Sequence, residues 1–99
     1  MAAWPTLAAL KQTLDVSSDD WDSEHHLEGV RLAAIAQVKL DVGDWDDVAD
    51  VPDDSLARAA HLLAVRIARA PSQAPVEAAR SDPDYGRLLK GHRRRFAIG

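Results

Sequence analysis

Histidine and carboxylate side chains are the groups in this sequence best suited to metal binding or acid–base catalysis. His25 and His26 are adjacent, and Glu24 and Glu28 flank them. Neighbouring side chains on a helix diverge by about 100°, so the two imidazoles cannot readily bind one metal ion. No spacing indicates a third ligand, and His61 falls near the apolar face of a predicted helix, which favours a structural role. We therefore expect no metal site and no cofactor.

No other arrangement typical of an active site is present in the sequence. The 99 residues include no cysteine, which excludes disulfides, thiolate nucleophiles and cysteine metal ligands. The serines occur in capping or loop contexts rather than in the turn that presents a hydrolase nucleophile. There is no glycine-rich phosphate loop, and nothing around the abundant Asp residues indicates burial that would raise a carboxyl pKa. The sequence predicts that this protein is not an enzyme.

Charge is distributed unevenly along the chain, whose formal net charge is −4. Residues 1–54 contain three Lys or Arg and thirteen Asp or Glu, whereas residues 55–99 contain nine Lys or Arg and three Asp or Glu. A chain with one acidic and one basic half can attract copies of itself, or its basic half can meet an acidic partner. Two solvated faces without a partner are the alternative interpretation.

Helical signals dominate the chain and predict an all-α fold, a small bundle of about four short helices with an extended basic C-terminal tail. Ala and Leu, which are abundant here, are the strongest helix formers. Start and stop signals place helices at 7–14 behind Thr6, at 21–40, at 55–70 behind Asp54, and from Asp82-Pro83 to near Gly91, with a short helical turn at 76–80.

The predicted core follows from apolar residues at helical spacing. Trp4, which precedes Pro5, is expected to pack back on the bundle. Gly29 weakens the interior of the second helix, and close packing against a neighbour would explain its presence. The predicted core positions are Leu7, Leu10 and Leu14; Leu27, Val30, Ala34, Ile35 and Val38; and Leu56, Ala60, Leu63 and Ile67.

An acidic connection is predicted between the second and third helices, at residues 41–54. Seven of these fourteen residues are Asp, a residue type that competes with helix by bonding nearby backbone groups. Gly43 is expected to end the second helix. Trp45 is unusual within so acidic a segment, and it either packs against its own domain or meets a partner.

The basic C-terminal tail, residues 92–99, is the best candidate for a binding segment, and residues 1–91 form the predicted helical domain. An Arg cluster followed by apolar residues suits the neutralisation of nucleic-acid phosphates. It suits equally the docking of an acidic protein surface, and a solvated terminus is the remaining alternative. The residues concerned are Arg93, Arg94, Arg95, Phe96 and Ile98.

Three stretches together resemble the small helical head–tail connector, or adaptor, proteins of tailed bacteriophages. They are the opening segment WPTLAALKQTLDV at 4–16, the alanine-rich helix SLARAAHLLAVRIARAP at 55–71 and the ending SDPDYGRLLKGHRRRFAIG at 81–99. They cover about half of the chain and occur in the expected order. The glycine at position 91 departs from the stiffer approach to the tail that relatives often have.

This resemblance implies a structural virion protein that forms a ring, usually of twelve copies, below the portal protein. The ring would bridge the portal to stopper or tail proteins, and DNA would pass through its channel without specific binding. The C-terminal segment of such proteins commonly reaches the portal, which makes the Arg93–Ile98 cluster the candidate portal contact. Localisation to the virion, after synthesis in the cytoplasm of the bacterial host, follows from the same resemblance.

A further hypothesis assigns the acidic connection to the DNA channel or to the next ring, because acidic walls would keep DNA from adhering. The residues concerned are Asp44, Trp45, Asp46, Asp47 and Asp50.

The alternative function is a small nucleic-acid-binding regulator of the helix-turn-helix kind. The third predicted helix offers Arg58, Arg66 and Arg69, although it has no Asn or Gln for reading bases. A helical interaction module such as an antitoxin is a third hypothesis. No signal peptide and no membrane association are expected, since no basic start precedes an apolar run and no apolar stretch approaches about 20 residues.

Overall fold

The computed structural model describes residues 3–15, 21–43, 45–46, 52–70 and 72–90. These residues form five helices and no strand. The predicted all-α fold is therefore confirmed for the described part of the chain, with the short turn predicted at 76–80 being a full helix. The helices are α1 (Leu7–Leu14), α2 (Trp21–Val42), α3 (Asp54–Arg69), α4 (Pro75–Ser81) and α5 (Pro83–Leu89).

Side-chain caps determine where three of the helices begin. The Ala9 N–H donates to the Thr6 hydroxyl oxygen over 3.1 Å, and the N–H groups of Asp84 and Tyr85 donate to the Asp82 carboxylate over 3.0 and 3.4 Å. Each cap satisfies a backbone donor that has no partner within its own helix. The predicted caps at Thr6 and Asp82 are thus confirmed.

The predicted cap of α3 at Asp54 is wrong by one residue. The Leu56 N–H donates to the Asp53 carboxylate over 2.9 Å, so Asp53 is the N-cap. Asp54 lies in the first turn instead, where its negative charge is favoured by the positive end of the helix dipole. Two consecutive Asp residues offered the same capping chemistry, and the chain uses the first.

The end of α2 lies two residues beyond the predicted one. Gly43 follows the helix with a φ of 81°, and its N–H donates to the Lys39 carbonyl over 3.1 Å, as expected for a glycine that ends a helix. Asp41 and Val42, which were predicted to belong to the connection, are helical. Val42 is buried, so its packing extends the helix past the Asp-rich boundary.

The core forms around α3, which contacts all four other helices. Its most extensive contact is with α2, and the predicted apolar faces of both helices are buried. Small alanines on α3 allow neighbouring helices to approach closely, while α1, α4 and α5 close the core from other directions. The buried apolar residues are Leu10, Leu27, Val30, Ala34, Ile35, Val38, Val42, Leu56, Ala59, Ala60, Leu63, Ala64, Ile67, Ala78, Ala79, Tyr85 and Leu89.

An aromatic contact ties the segment before α1 to the segment after α2. The rings of Trp4 and Trp45 are tilted by 55° with centroids 5.4 Å apart, and the Lys39 ammonium lies 5.8 Å from the Trp4 centroid. Both indoles also pack against the core. The expected packing of Trp4 on the bundle is confirmed, and Trp45 contacts its own domain.

Gly29 does not make the close approach to a neighbour that would have explained it. It is exposed on α2, and a Cβ built at this position would meet no atom within 4 Å. We therefore expect Gly29→Ala to raise the free energy of unfolding by up to about 1 kcal/mol, because alanine favours helix over glycine by that amount. Urea unfolding followed by circular dichroism measures the change.

The matched control is Gly43→Ala, because the left-handed conformation at residue 43 is costly for any residue with a Cβ. This variant should be less stable than the wild type by about 1–2 kcal/mol. Equal effects of the two substitutions would contradict the account of both glycines.

Candidate interaction surfaces

The histidines do not form a metal site within the described residues. No group of three potential His, Asp or Glu ligands occurs there, and His25 and His26 are exposed on α2. His61 has a structural role, since its Nε2 lies 2.9 Å from the Thr13 hydroxyl oxygen and so joins α3 to α1.

A groove runs between α3 and α5. Two adjoining depressions of about 290 and 370 Å³ share Leu62 as a common lining residue. Leu62, Val65 and Leu88 are half-buried apolar side chains within it. We define the α3–α5 groove by the arginines and the larger apolar residues that line it, which are Arg58, Leu62, Val65, Arg66, Arg69, Arg87 and Leu88.

The α3–α5 groove carries excess positive charge. Asp84 and Asp82 also line it, but Asp82 accepts the capping hydrogen bonds of α5. Asp84 pairs with Arg87 over 3.4 Å at an exposed position, where an ion pair contributes little. The three arginines of α3 form no ion pair with other described residues, so the groove favours an acidic ligand.

Arg66, which lines this groove, has a buried donor without an acceptor among the described residues. Among the described residues, its Nε is a buried side-chain nitrogen without a hydrogen-bond partner. Buried donors in folded proteins are nearly always paired, because an unpaired donor has lost its bond to water.

A partly buried hydrogen-bond network holds α5 in place as one wall of the groove. The Tyr85 hydroxyl donates to one Asp41 oxygen over 2.6 Å, and the Gln37 amide donates to the other over 3.1 Å. Tyr85 is only 1% exposed. The network also offsets the unfavourable position of an acidic side chain in the last turn of α2. The sequence alone does not predict this network, because Asp41 falls in the predicted acidic connection.

The side of α2 that faces away from the core is apolar and exposed. Leu32 is 53% exposed and Leu40 is 63% exposed. Between positions 29 and 40 the residues at the centre of this face carry no charge. A helix that is apolar on both faces is typical of one that is covered on both. We define the α2 outer face as Gly29, Leu32, Ala33, Ala36 and Leu40.

The acidic side chains beside the α2 outer face already have partners within the chain. Glu24 accepts from the Lys11 ammonium over 3.0 Å, which joins α2 to α1. Glu28 pairs with Arg31, whose guanidinium also donates to the Pro5 carbonyl over 3.2 Å. The hydrogen bonds from Arg31 hold the pKa of the Glu28 carboxyl below its ordinary value of 4.5.

Most of the predicted site residues lie outside the described residues. Those are the tail cluster Arg93, Arg94, Arg95, Phe96 and Ile98, and Asp44, Asp47 and Asp50 of the acidic connection. Trp45 and Asp46 are described: Trp45 is half-buried against Trp4, and Asp46 is exposed. The structure brings together a different set, the α3–α5 groove, of which the sequence had singled out the three arginines of α3.

Comparison with known proteins gives no relative from which to infer a role. No protein-family model, no curated protein and no solved structure matches this chain. Within the described residues, no helix combines the length and the apolar character needed to cross a membrane.

Removing the Tyr85 hydroxyl should loosen α5 from α2. We expect Tyr85→Phe to lower the free energy of unfolding by about 1.5–3 kcal/mol, the range for a hydrogen bond to a charged group. Urea unfolding measures the effect. The control is a double-mutant cycle with Asp41→Ala, in whose background Tyr85→Phe should cost much less. Equal costs in both backgrounds would show that the hydroxyl acts through another group.

The Glu28–Arg31 pair predicts a pH-dependent part of the stability. Because the carboxyl pKa is lower in the folded state, its contribution is present above about pH 4.5 and is lost as the pH falls through the folded-state pKa. Urea midpoints should therefore fall more steeply on acidification for the wild type than for Glu28→Gln. Parallel pH profiles of the two proteins would contradict this assignment.

Proposed function

We propose that this protein is a structural subunit of a head–tail connector in a tailed bacteriophage. In this role its copies form a ring, of twelve as the resemblance implies, below the portal protein. The ring bridges the portal to stopper or tail proteins, and DNA passes through it without specific binding. The protein then functions in the virion, at the junction of head and tail.

The observation that carries this proposal is a pair of surfaces that none of the described helices covers. One is the uncharged α2 outer face, and the other is the basic α3–α5 groove, with two leucines more than half exposed on the first and four arginines lining the second. Contiguous exposed apolar surface is typical of sites of protein–protein contact. A subunit that lies between neighbouring proteins needs such contact surfaces, whereas an enzyme needs an active site.

The sequence supports the same role in a second way. The stretches at 4–16, 55–71 and 81–99 resemble connector proteins, and the described parts of all three are consistent with a helical subunit. The basic tail and the acidic connection have roles in this proposal: the tail contacts the portal, and the connection faces the channel or the next ring. Like charge on the connection would repel the DNA phosphates.

A nucleic-acid-binding role remains the second candidate, favoured by the arginines at 58, 66 and 69 on one side of α3. Their setting argues against it. A recognition helix enters a DNA groove from a protruding surface, whereas the face of α3 that carries these arginines borders a depression beside α5. DNA binding that falls steeply with salt concentration would favour this second candidate, and no binding even at low salt would favour the connector.

The portal contact is tested by deleting residues 93–99. We expect the truncated chain to stay folded, because α1 to α5 lie within residues 7–89, and to lose binding to the portal of the phage that encodes it. Co-purification with that portal measures the binding, and circular dichroism checks the fold.

The matched control is Arg80→Ser, which removes a positive charge from an exposed position on α4. It should bind the portal like the wild type. Undiminished portal binding by the truncated chain would reject the assigned role of the tail, and the absence of any binding by the wild type would reject the connector proposal.

A further inference from the structure

We propose that the α3–α5 groove binds an acidic amphipathic helix of a partner protein, whose apolar side chains lie between two flanking carboxylates. The groove is lined by side chains of α3 and α5 and of residues next to those helices. This inference goes beyond the proposed function, because it states what the groove binds. It depends on the chemistry of the groove alone and not on the connector role.

The lining residues of α3 form one straight stripe that is apolar in the middle and basic at both ends. Arg58 begins the stripe and Arg69 ends it. Leu62 and Val65 lie between them at spacings of four, three and four residues, which places all of them on one side of the helix. The two ends are eleven helical steps apart, or about 16 Å at 1.5 Å per residue. A ligand that contacts the whole stripe therefore needs two negative groups about 16 Å apart with apolar surface between them.

The middle of the groove has apolar surface that its own helices leave partly exposed. Leu62 lines both depressions, and Leu88 of α5 lines the first of them. Both side chains are half-buried. Val65 and Leu88 also pack against the core, whereas Leu62 is outside the set of described side chains that do so. Apolar groups of a ligand would remove this surface from water, which is the main favourable contribution to protein association.

The charges along the groove favour a ligand with carboxylates. The arginines at the two ends of the stripe are exposed and form no ion pair with any residue in the described part of the chain. Both aspartates of the groove already have roles within α5: Asp82 accepts the capping hydrogen bonds, and Asp84 pairs with Arg87. A guanidinium can donate two parallel hydrogen bonds to one carboxylate. The ends of the stripe are therefore suited to binding the two carboxylates of the ligand.

The walls of the groove favour a helical ligand over an extended one. Backbone N–H and C=O groups inside a helix bond to one another, so α3 and α5 offer a ligand mainly side chains. An extended peptide would lose water from its own backbone groups without gaining partners, whereas a helix satisfies those groups internally. Helices that dock in grooves present apolar residues at spacings of three and four, which is also the spacing of the stripe.

A protein ligand fits these residues better than a nucleic acid does. Phosphates would meet the arginines, but the apolar side chains between them would have no counterpart on a sugar–phosphate backbone. None of the described residues that line the groove is aromatic, so unpaired bases would have no ring on which to stack. Asp82 and Asp84 would also repel phosphates.

Binding of three synthetic peptides to the full chain tests the proposal. The acidic peptide is an alanine-rich helix of about 18 residues, long enough to be helical in water. It has two leucines three residues apart, with one glutamate four residues before the first and another four residues after the second. Glutamine replaces both glutamates in the second peptide, and serine replaces both leucines in the third. Anisotropy of a fluorescent label measures binding at protein concentrations up to about 1 mM, which detects even weak association.

We expect saturable binding of the acidic peptide and at least about tenfold weaker binding of each altered peptide, because a hydrogen bond to a charged group contributes enough for such a change. The groove variant, Arg58→Glu/Arg69→Glu, should lose the acidic peptide. It should bind instead a fourth peptide in which lysine replaces both glutamates. Both substituted positions are exposed, so the variant should fold, which circular dichroism verifies.

The matched control is Arg80→Glu/Lys90→Glu, which makes the same change in net charge at exposed positions that do not line the groove. It should bind the acidic peptide like the wild type. Failure of the wild type to bind the acidic peptide, or equal binding of the three peptides, would overturn the proposal whether or not the groove variant folds. Binding that a folded groove variant retains would also overturn it, because the basic tail or another surface would then hold the peptide.

Two further comparisons separate this inference from its alternatives. A DNA duplex that binds the wild type more tightly than the acidic peptide does, and that the groove variant no longer binds, would assign the groove to nucleic acid instead. Peptide binding is measured without any portal protein. Loss of the peptide result with intact portal binding would therefore reject this inference alone, and peptide binding by a chain that never binds its portal would reject only the connector.

Discussion

The packing of α3 against all of the other helices is the interaction on which the rest of the structure depends. Its buried face combines Leu56, Leu63 and Ile67 with the small residues Ala59, Ala60 and Ala64. The alanines let neighbouring helices approach closely, and the larger side chains fill the space between them. Substitutions on this buried face would affect the packing of every other helix at once, because α1, α2, α4 and α5 each contact α3.

The central position of α3 also explains why the two candidate interaction surfaces lie where they do. The other helices surround α3, and the side that carries its arginines is left beside α5 as the wall of the α3–α5 groove. Long α2 covers the core with one face, and no described helix covers the other. Four helices packed around a central one thus leave, among the described residues, an exposed apolar face on α2 and a basic groove beside α5.

Polar contacts between the helices specify this arrangement. Tyr85 and Asp41 join α5 to α2, Thr13 and His61 join α1 to α3, and Lys11 and Glu24 join α1 to α2. Each is directional, so each favours one orientation of the helices over the others that apolar packing would tolerate. The groove depends on the first of them, because Tyr85 orients the helix that carries Arg87 and Leu88.

The sequence by itself determined the fold class, the approximate positions of the helices and the buried apolar faces. These features depend on neighbouring residues: the caps at Thr6 and Asp82, the glycine at the end of α2 and the apolar spacing of α3 are all local patterns. The separation of acidic and basic residues into two halves of the chain is likewise visible in the sequence alone. The errors at helix ends are shifts of one or two residues. At the start of α3 the neighbouring Asp53 offered the same capping chemistry as Asp54, and at the end of α2 the burial of Val42 extends the helix.

Only the tertiary structure decided which of these residues come together. Asp41 and Tyr85 are 44 positions apart, and nothing in their local sequence indicates that one accepts a hydrogen bond from the other. The α3–α5 groove likewise combines residues from two helices whose relative orientation is set by packing against a shared core. Local pattern defines a helix and its buried side, whereas the surface left over depends on how all of the helices pack at once.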